Sequence, residues 1–317
     1  MNHRRTLAHA VALGVITGLV ALAAARLDLP KVAAGLAVAR PGWIALALVC
    51  FVAILPLWAL QWRLLLTGAP RAPLRSMLGV VAMTSTVLNT APMLVGEAAG
   101  VFFLVTRAGI SRASALSLLA MDQLFVGVAK LGVLAVAGAM LDLPDWMARG
   151  AQALLLGVGA LVLAVLAMAW QAGRVGAHFI RLRGRGAELV ASVQAALAPM
   201  RSPSRSAGAL SLALAKKLAE ATAILCVQRA FGLELPPSSA VVVLAAVNLA
   251  TLLPVVPGNV GVYEGAVVLA YSYLGVPPER ALGIGLVQHA CFFVALAIPG
   301  YRWLARAPAA SRSPAAT

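Results

Sequence analysis

Residues 253–265, Leu-Pro-Val-Val-Pro-Gly-Asn-Val-Gly-Val-Tyr-Glu-Gly, put helix breakers and a carboxylate inside an otherwise apolar region. Ser239 to Leu252 is apolar apart from Asn248 and Thr251, and Ala266 to Leu274 is apolar again. A hydrocarbon core ~30 Å thick takes about 20 helical residues to cross. The arm after the break, with about 11 residues, reaches roughly 16 Å at the helical rise per residue. The arm before it, with about 16, is also short of a full crossing. These lengths predict a re-entrant hairpin whose tip, at Pro257, Gly258, Asn259 and Gly261, lies near the midplane. Irregular backbone at that depth is tolerated only where protein or a watery cavity covers it, so a buried cavity is implied.

A chain of 317 residues that is 62% hydrophobic and 11% charged, with mean hydropathy +0.94, is an integral membrane protein and not a soluble domain. Its formal charge of +15 does not mark a nucleic-acid binder, because the basic residues lie scattered between apolar runs. Cys50, Cys226 and Cys291 all sit in apolar segments without CxxC spacing and read as core residues. Leu7 to Ala25 follows Arg4 and Arg5, and ends in a small-residue pattern that a signal peptide would share. Its length favours an uncleaved first helix.

The remaining apolar runs are Trp43 to Leu60, Met77 to Ala91, Ala98 to Val105, Ala113 to Leu141, Ala151 to Trp170, Ala207 to Phe231, the hairpin above, and Ala281 to Leu304. The two runs flanking Pro92 are again short, and Asn89 to Glu97 repeats the theme of a Pro and Gly break followed by Gly96-Glu97. The expected fold is therefore all-α and polytopic, with about six transmembrane helices plus two re-entrant hairpins. A single membrane domain covers 1–306, with half-repeats at about 7–141 and 151–304, and a disordered tail follows at 307–317. Three spans separate corresponding elements, so the halves are inverted with respect to the bilayer, as in many transporters.

Basic residues support one orientation. With the N-terminus inside, sixteen arginines fall on the inner side, among them Arg63, Arg71, Arg75, Arg107, Arg112 and six between Gly173 and Ser206. Arg26, Lys31, Arg40, Arg149 and Arg280 fall outside, with the acidic residues Asp28, Asp142, Asp145, Glu234 and Glu279. Both termini are expected in the cytoplasm of a bacterial inner membrane. Gly173 to Ser206 reads as a cytoplasmic loop with room for an interfacial helix.

Glu97, Asp122, Lys130, Lys216, Lys217, Glu220 and Glu264 lie within the spans or hairpins, where an unpaired charge facing lipid is costly. Lys216 and Glu220 share a helix face, and Asp122 and Lys130 project to nearly the same side, so each pair is open to a local ion pair. Glu97 and Glu264 have no such neighbour in sequence. Both follow a Gly-containing break, where a carboxylate can cap the free N–H groups of a half-helix or share that terminus with an arriving phosphate. Two termini meeting from opposite sides would form a polar site for a headgroup. The expected binding and gating residues are Asn89, Gly96, Glu97, Asp122, Lys216, Lys217, Glu220, Pro257, Gly258, Asn259, Gly261, Tyr263 and Glu264. No metal or other cofactor is expected, because the four histidines are dispersed and HExxH, GxSxG and paired aspartates are lacking.

The run Pro257-Gly258-Asn259-Val260-Gly261-Val262-Tyr263-Glu264-Gly265, followed by Leu274-Gly275-Val276-Pro277-Pro278-Glu279-Arg280-Ala281, resembles the flippase-like family typified by the transmembrane region of lysylphosphatidylglycerol synthase. Gly96-Glu97 before a short helix and Arg107 extends the likeness over nearly the whole chain. Gly100 stands where an Arg often follows that Gly-Glu pair, and Asp122-Gln123 where Glu-Arg is common. The resemblance implies transport of an anionic phospholipid, a hopanoid or a lipid-linked sugar between leaflets. The soluble aminoacyl-transferase part of bifunctional members is not seen in this sequence, so a non-enzymatic role is expected. The alternative is a membrane subunit that assists a lipid-modifying or lipid-synthesising enzyme. A homo-oligomer, or a partner from lipid biosynthesis, fits either reading.

Overall fold

The computed structural model describes residues 37, 39–66, 73–91, 95–178, 202–252 and 256–305, with side chains left out at 113 and 164–178. The expected first helix, the Pro92 and Pro254 positions, most of the 173–206 loop and the tail lie outside the described residues. Every regular element among those described is helical. In order these are α1 (Pro41–Val52), α2 (Ile54–Leu65), α3 (Leu74–Thr90), α4 (Val95–Ala108), α5 (Arg112–Met140), α6 (Asp145–His178), α7 (Pro203–Ala230), α8 (Ser238–Ala250), a 3₁₀ turn (Pro257–Asn259), α9 (Val262–Tyr273) and α10 (Pro278–Ala305). The chain is an all-α, polytopic membrane protein.

Four segments are long and apolar enough to cross a bilayer: Pro41–Leu65, Ser114–Met140, Asp145–Leu163 and Pro278–Ala305. The first contains α1 and α2, separated by one turn residue at Ala53. Pro56 has no N–H to donate to the Val52 carbonyl, which accounts for a break at this place. α7 spans 28 residues, but Lys216, Lys217 and Glu220 lower its hydropathy. Its charges are tolerable only because they turn inward.

The broken segments form two helical pairs. The arms α3 and α4 have 17 and 14 residues, and α8 and α9 have 13 and 12. The longest reaches roughly 25 Å and the shortest roughly 18 Å, all short of a ~30 Å core. α4 begins at Val95, earlier than the apolar run suggests, so Gly96 and Glu97 form its first turn instead of preceding it. A helix can take in a Gly and a Glu at its start, since the free N–H groups and positive end of the dipole favour the carboxylate.

Packing between the helices is reciprocal. α3 packs on α10 while α8 packs on α5; α4 packs on α5 while α9 packs on α10; α7 touches α5 while α1 touches α10. The α1–α2 span and α7, which correspond between halves, pack on each other. Among the described residues α6 packs mainly on α5 and α8, with Leu155, Leu156 and Leu163 exposed.

Association in a bilayer depends on close contact more than on burial from water. The α3–α10 crossing shows this. A Cβ at Gly300 would lie 2.2 Å from the Ala82 carbonyl oxygen, and the Thr86 hydroxyl is 2.5 Å from the Ala297 carbonyl and 3.0 Å from that of Ala82. Arg229, which falls in an apolar run and on neither side of the charge count, donates to the Leu233 and Leu235 carbonyls. It closes the C-terminal end of α7.

Candidate functional site

The turn between α8 and α9 packs on the C-terminal end of α3. Gly258 has φ +64° and packs so closely on the end of α3 that a Cβ there would be 3.0 Å from the Asn89 carbonyl oxygen. Gly261, the residue that caps α9, has φ +82°. Left-handed backbone is accessible to glycine without the Cβ penalty, so the Pro257–Asn259 turn can reverse direction against a neighbouring chain segment. Asn259 also adopts positive φ, at 53°. Asn is among the few other residue types that tolerate it.

Beside this junction lies a cavity of about 310 Å³, bordered by α1, α2, α3, α4, α5, α7, α8, α10 and the tip of the second hairpin. Its size is at the lower end of small-ligand sites, roughly 300–1,000 Å³. Lys130, Lys216 and Lys217 line it together with Glu97, Asp122 and Glu220, so formal charges balance within the lining. Phe51, Trp58 and Phe292 supply apolar wall.

Charge pairing within the cavity differs from the sequence expectation. Lys217, not Lys216, binds Glu220, with Nζ to the two carboxylate oxygens at 2.9 and 2.7 Å. Lys217 also donates to Asn248 Oδ1 at 3.1 Å. Lys216 turns toward the other half, where its Nζ is 3.8 Å from Asp122 Oδ1 and 5.4 Å from the Trp58 ring centre. Asp122 accepts from Trp58 Nε1 at 3.1 Å, so Lys130 is not its partner. Buried carboxylates must find cations wherever the packing brings them. Here α5 faces α7, and the inter-helix partner replaces the intra-helix one.

Lys130 and Glu97 remain. Among the described residues Lys130 has no ion-pair partner within 4.0 Å, although Lys217 and Glu220 line the same cavity. Glu97 Oε2 is buried without a hydrogen-bond partner among the described residues. Asn259 Oδ1 and Asn248 Nδ2 are buried and unpartnered in the same sense, and both residues line the cavity.

Glu264 finds its partner far away in sequence. Its Oε1 lies 2.7 Å from His289 Nδ1 on α10, and its Oε2 accepts the Gly261 N–H at 2.7 Å. The second contact is half of a capping box; Gly261 has no side chain to supply the other half. Next to it Tyr263 stacks on His289 at 4.3 Å between ring centres and accepts from Gln288 Nε2 at 2.8 Å. Tyr263 and His289 border the cavity, whereas Glu264 stands behind them.

Of the residues singled out in the sequence, Asn89, Glu97, Asp122, Lys216, Lys217, Glu220, Asn259 and Tyr263 line the same cavity. Gly96, Pro257, Gly258, Gly261 and Glu264 do not. Gly96 instead packs on Leu88, where a Cβ would come within 2.7 Å of the Leu88 Cα. Sequence reasoning missed Trp58, Asn248 and His289 as lining residues, and Gln288 as the donor to Tyr263 behind them. The adjacent polar pair Gln288-His289 within the apolar run Ala281 to Leu304 was the visible signal. Among the described residues no three His, Cys, Asp or Glu gather as metal ligands.

Comparison with known proteins agrees with the motif resemblance. Residues 9–300 match the family described as Lysylphosphatidylglycerol synthase TM region, and the chain belongs to that family. No curated relative matches the sequence.

Proposed function

We propose that this member of the lysylphosphatidylglycerol synthase transmembrane-region family is a lipid translocase that performs no covalent chemistry on its cargo. The polar headgroup occupies the charged cavity while the acyl chains stay in the bilayer. One observation carries the reading: six lysine and carboxylate side chains, three from α4 and α5 and three from α7, face one cavity beside the turn of the second hairpin. Such residues in membrane segments are expensive and are characteristic of substrate or ion pathways. A purely structural set would need only complete mutual pairing.

In this reading both hairpins are re-entrant. The first enters from the cytoplasm and the second from outside, and the termini are cytoplasmic in a bacterial inner membrane. Single cysteines placed near Arg71 and Arg112, in a chain lacking its native cysteines, are expected to label from the cytoplasmic side. Those near Glu234 and Glu279 are expected to label from the other side. Labelling of Arg71 and Arg112 positions from opposite sides would remove the first hairpin and the inverted repeat.

Function is tested with purified protein in vesicles carrying a headgroup-labelled lipid, by following loss of signal to a membrane-impermeant quencher. The parental protein is expected to move lipid from the inner to the outer leaflet faster than empty vesicles. Lys216→Met together with Asp122→Asn, which removes the charge pair between halves, is expected to slow it. Parental protein that moves nothing, in vesicles where its orientation and monodispersity are verified, favours the accessory-subunit alternative.

A further inference from the structure

From the distribution of unpaired groups in the cavity, we infer that the cargo headgroup is a zwitterion: a phosphate next to a primary amine, as in a phosphoethanolamine lipid. The inference rests on the transport reading only for movement between leaflets; the binding preference stands by itself.

The cavity has two poles. At one, Lys130, Lys216 and Lys217 project from α5 and α7 with only Asp122 and Glu220 to balance them. Lys217 is committed to Glu220 and Asn248, and Lys216 is shared between Asp122 and the Trp58 ring. Lys130 is the surplus cation, and Asn248 Nδ2 is a buried donor without an acceptor among the described residues. This pole lacks one anion, and a phosphate monoanion supplies it with acceptor oxygens to spare.

The acidic pole comprises groups from the first turn of α4 and the turn of the second hairpin. Here Glu97 Oε2 and Asn259 Oδ1 are both buried acceptors with no donor among the described residues. An unsatisfied buried acceptor is costly, and a carboxylate more so, so this end lacks a charged donor. His289, the imidazole on the cavity wall, has its Nδ1 turned to Glu264. A purely anionic headgroup would fill the lysine pole and leave Glu97 facing a second negative charge or a neutral hydroxyl. A quaternary amine would offer charge but no N–H. A primary ammonium offers three donors and the missing positive charge.

The full chain, purified in detergent, is titrated with phosphatidylethanolamine, phosphatidylcholine and phosphatidylglycerol of identical acyl chains, and bound lipid is counted by native mass spectrometry. Phosphatidylethanolamine is expected to bind about tenfold tighter than phosphatidylglycerol, the scale of one charge-assisted hydrogen bond, with phosphatidylcholine between them. Glu97→Gln is expected to reduce that preference to about twofold or less, and Lys130→Gln to weaken all three lipids together. Asn259→Asp keeps a residue type that tolerates positive φ and adds a second negative group, so it is expected to widen the preference; this arm does not depend on a loss of function. Equal or tighter binding of phosphatidylglycerol, no specific binding of any of the three, or a preference unchanged in both Glu97→Gln and Asn259→Asp overturns the inference. The same variants in vesicles separate the two readings. Movement of all headgroups at one rate by a protein without binding preference sinks the zwitterion site and leaves translocation. A Glu97-dependent preference without any movement sinks translocation and leaves the site.

Discussion

The two hairpins place a glutamate at the same step and treat it in opposite ways. Glu97 and Glu264 are each the third residue of their second arm, counted from Val95 and Val262, a correspondence that the unequal Pro-to-Glu spacing in the sequence conceals. Glu264 is held by the Gly261 N–H and by His289. Glu97 turns an unpartnered oxygen into the cavity wall. The cause lies on the long helix behind each hairpin. Asp122-Gln123 and Gln288-His289 occupy the same steps from the first residues of α5 and α10, so the place taken by His289 in one half is taken by Gln123 in the other. A repeated backbone thus carries one glutamate as a structural clamp and the other as a free acceptor.

The largest expected change tests whether the hairpins share their tight crossing as well. Gly96→Leu pushes a side chain into the Leu88 backbone, whereas Gly258→Leu brings a Cβ to 3.0 Å from the Asn89 carbonyl oxygen, a tight but less severe approach, in left-handed backbone. Overpacking of the first kind costs about 1–3 kcal/mol or more, and the second about 1–2 kcal/mol from the backbone alone. Thermal unfolding in detergent is expected to place Gly96→Leu below Gly258→Leu, and both below the parent. The reverse order would mean that the junction of the tips, not the α3–α4 crossing, holds the first hairpin.

Next in size is Glu264→Gln. Glutamine can still accept the Gly261 N–H, but the charge-assisted contact to His289 becomes a neutral one, a loss of about 1–2 kcal/mol. His289→Gln is expected to cost at least as much, because it removes both the contact to the Glu264 carboxylate and the stack on Tyr263. Equal unfolding midpoints for Glu264→Gln and the parent would show that the clamp holds nothing, and the contrast with Glu97 would vanish.

Much of this was legible in the sequence, for identifiable reasons. A Pro or Gly between short apolar arms can only be a break, and a carboxylate amid apolar residues must face inward, so the broken helical pairs and the Lys, Asp and Glu residues of the cavity lining followed from local cost alone. Partner choice did not. Lys216 has Glu220 one helical turn away and yet turns to Asp122, because the decisive quantity is which helix face meets which neighbour. The His289 contact to Glu264 joins residues 25 apart across two helices. No periodicity encodes it. The corresponding position of the two glutamates was hidden because a helix start is set by backbone geometry, which shifts by a few residues while the spacing to proline does not report it.

The smallest expected change in stability is also the sharpest test of the comparison. Glu97→Gln removes a carboxylate whose buried oxygen finds no donor among the described residues, so it relieves a desolvation cost. Against that, it gives up a favourable charge at the N-terminus of α4, about 0.3–1 kcal/mol. The two terms oppose, and the unfolding midpoint is expected to stay within the equivalent of about 0.5 kcal/mol of the parent. A residue with so little effect on folding has no structural reason to be a carboxylate in a membrane. Headgroup movement in vesicles should therefore fall far more than stability does, the opposite of the pattern expected for His289→Gln. If Glu97→Gln unfolds as readily as Glu264→Gln, Glu97 is a second clamp with its own partner. If it keeps both its midpoint and the parental transport rate, the free acceptor is incidental and the asymmetry between the hairpins has no functional content.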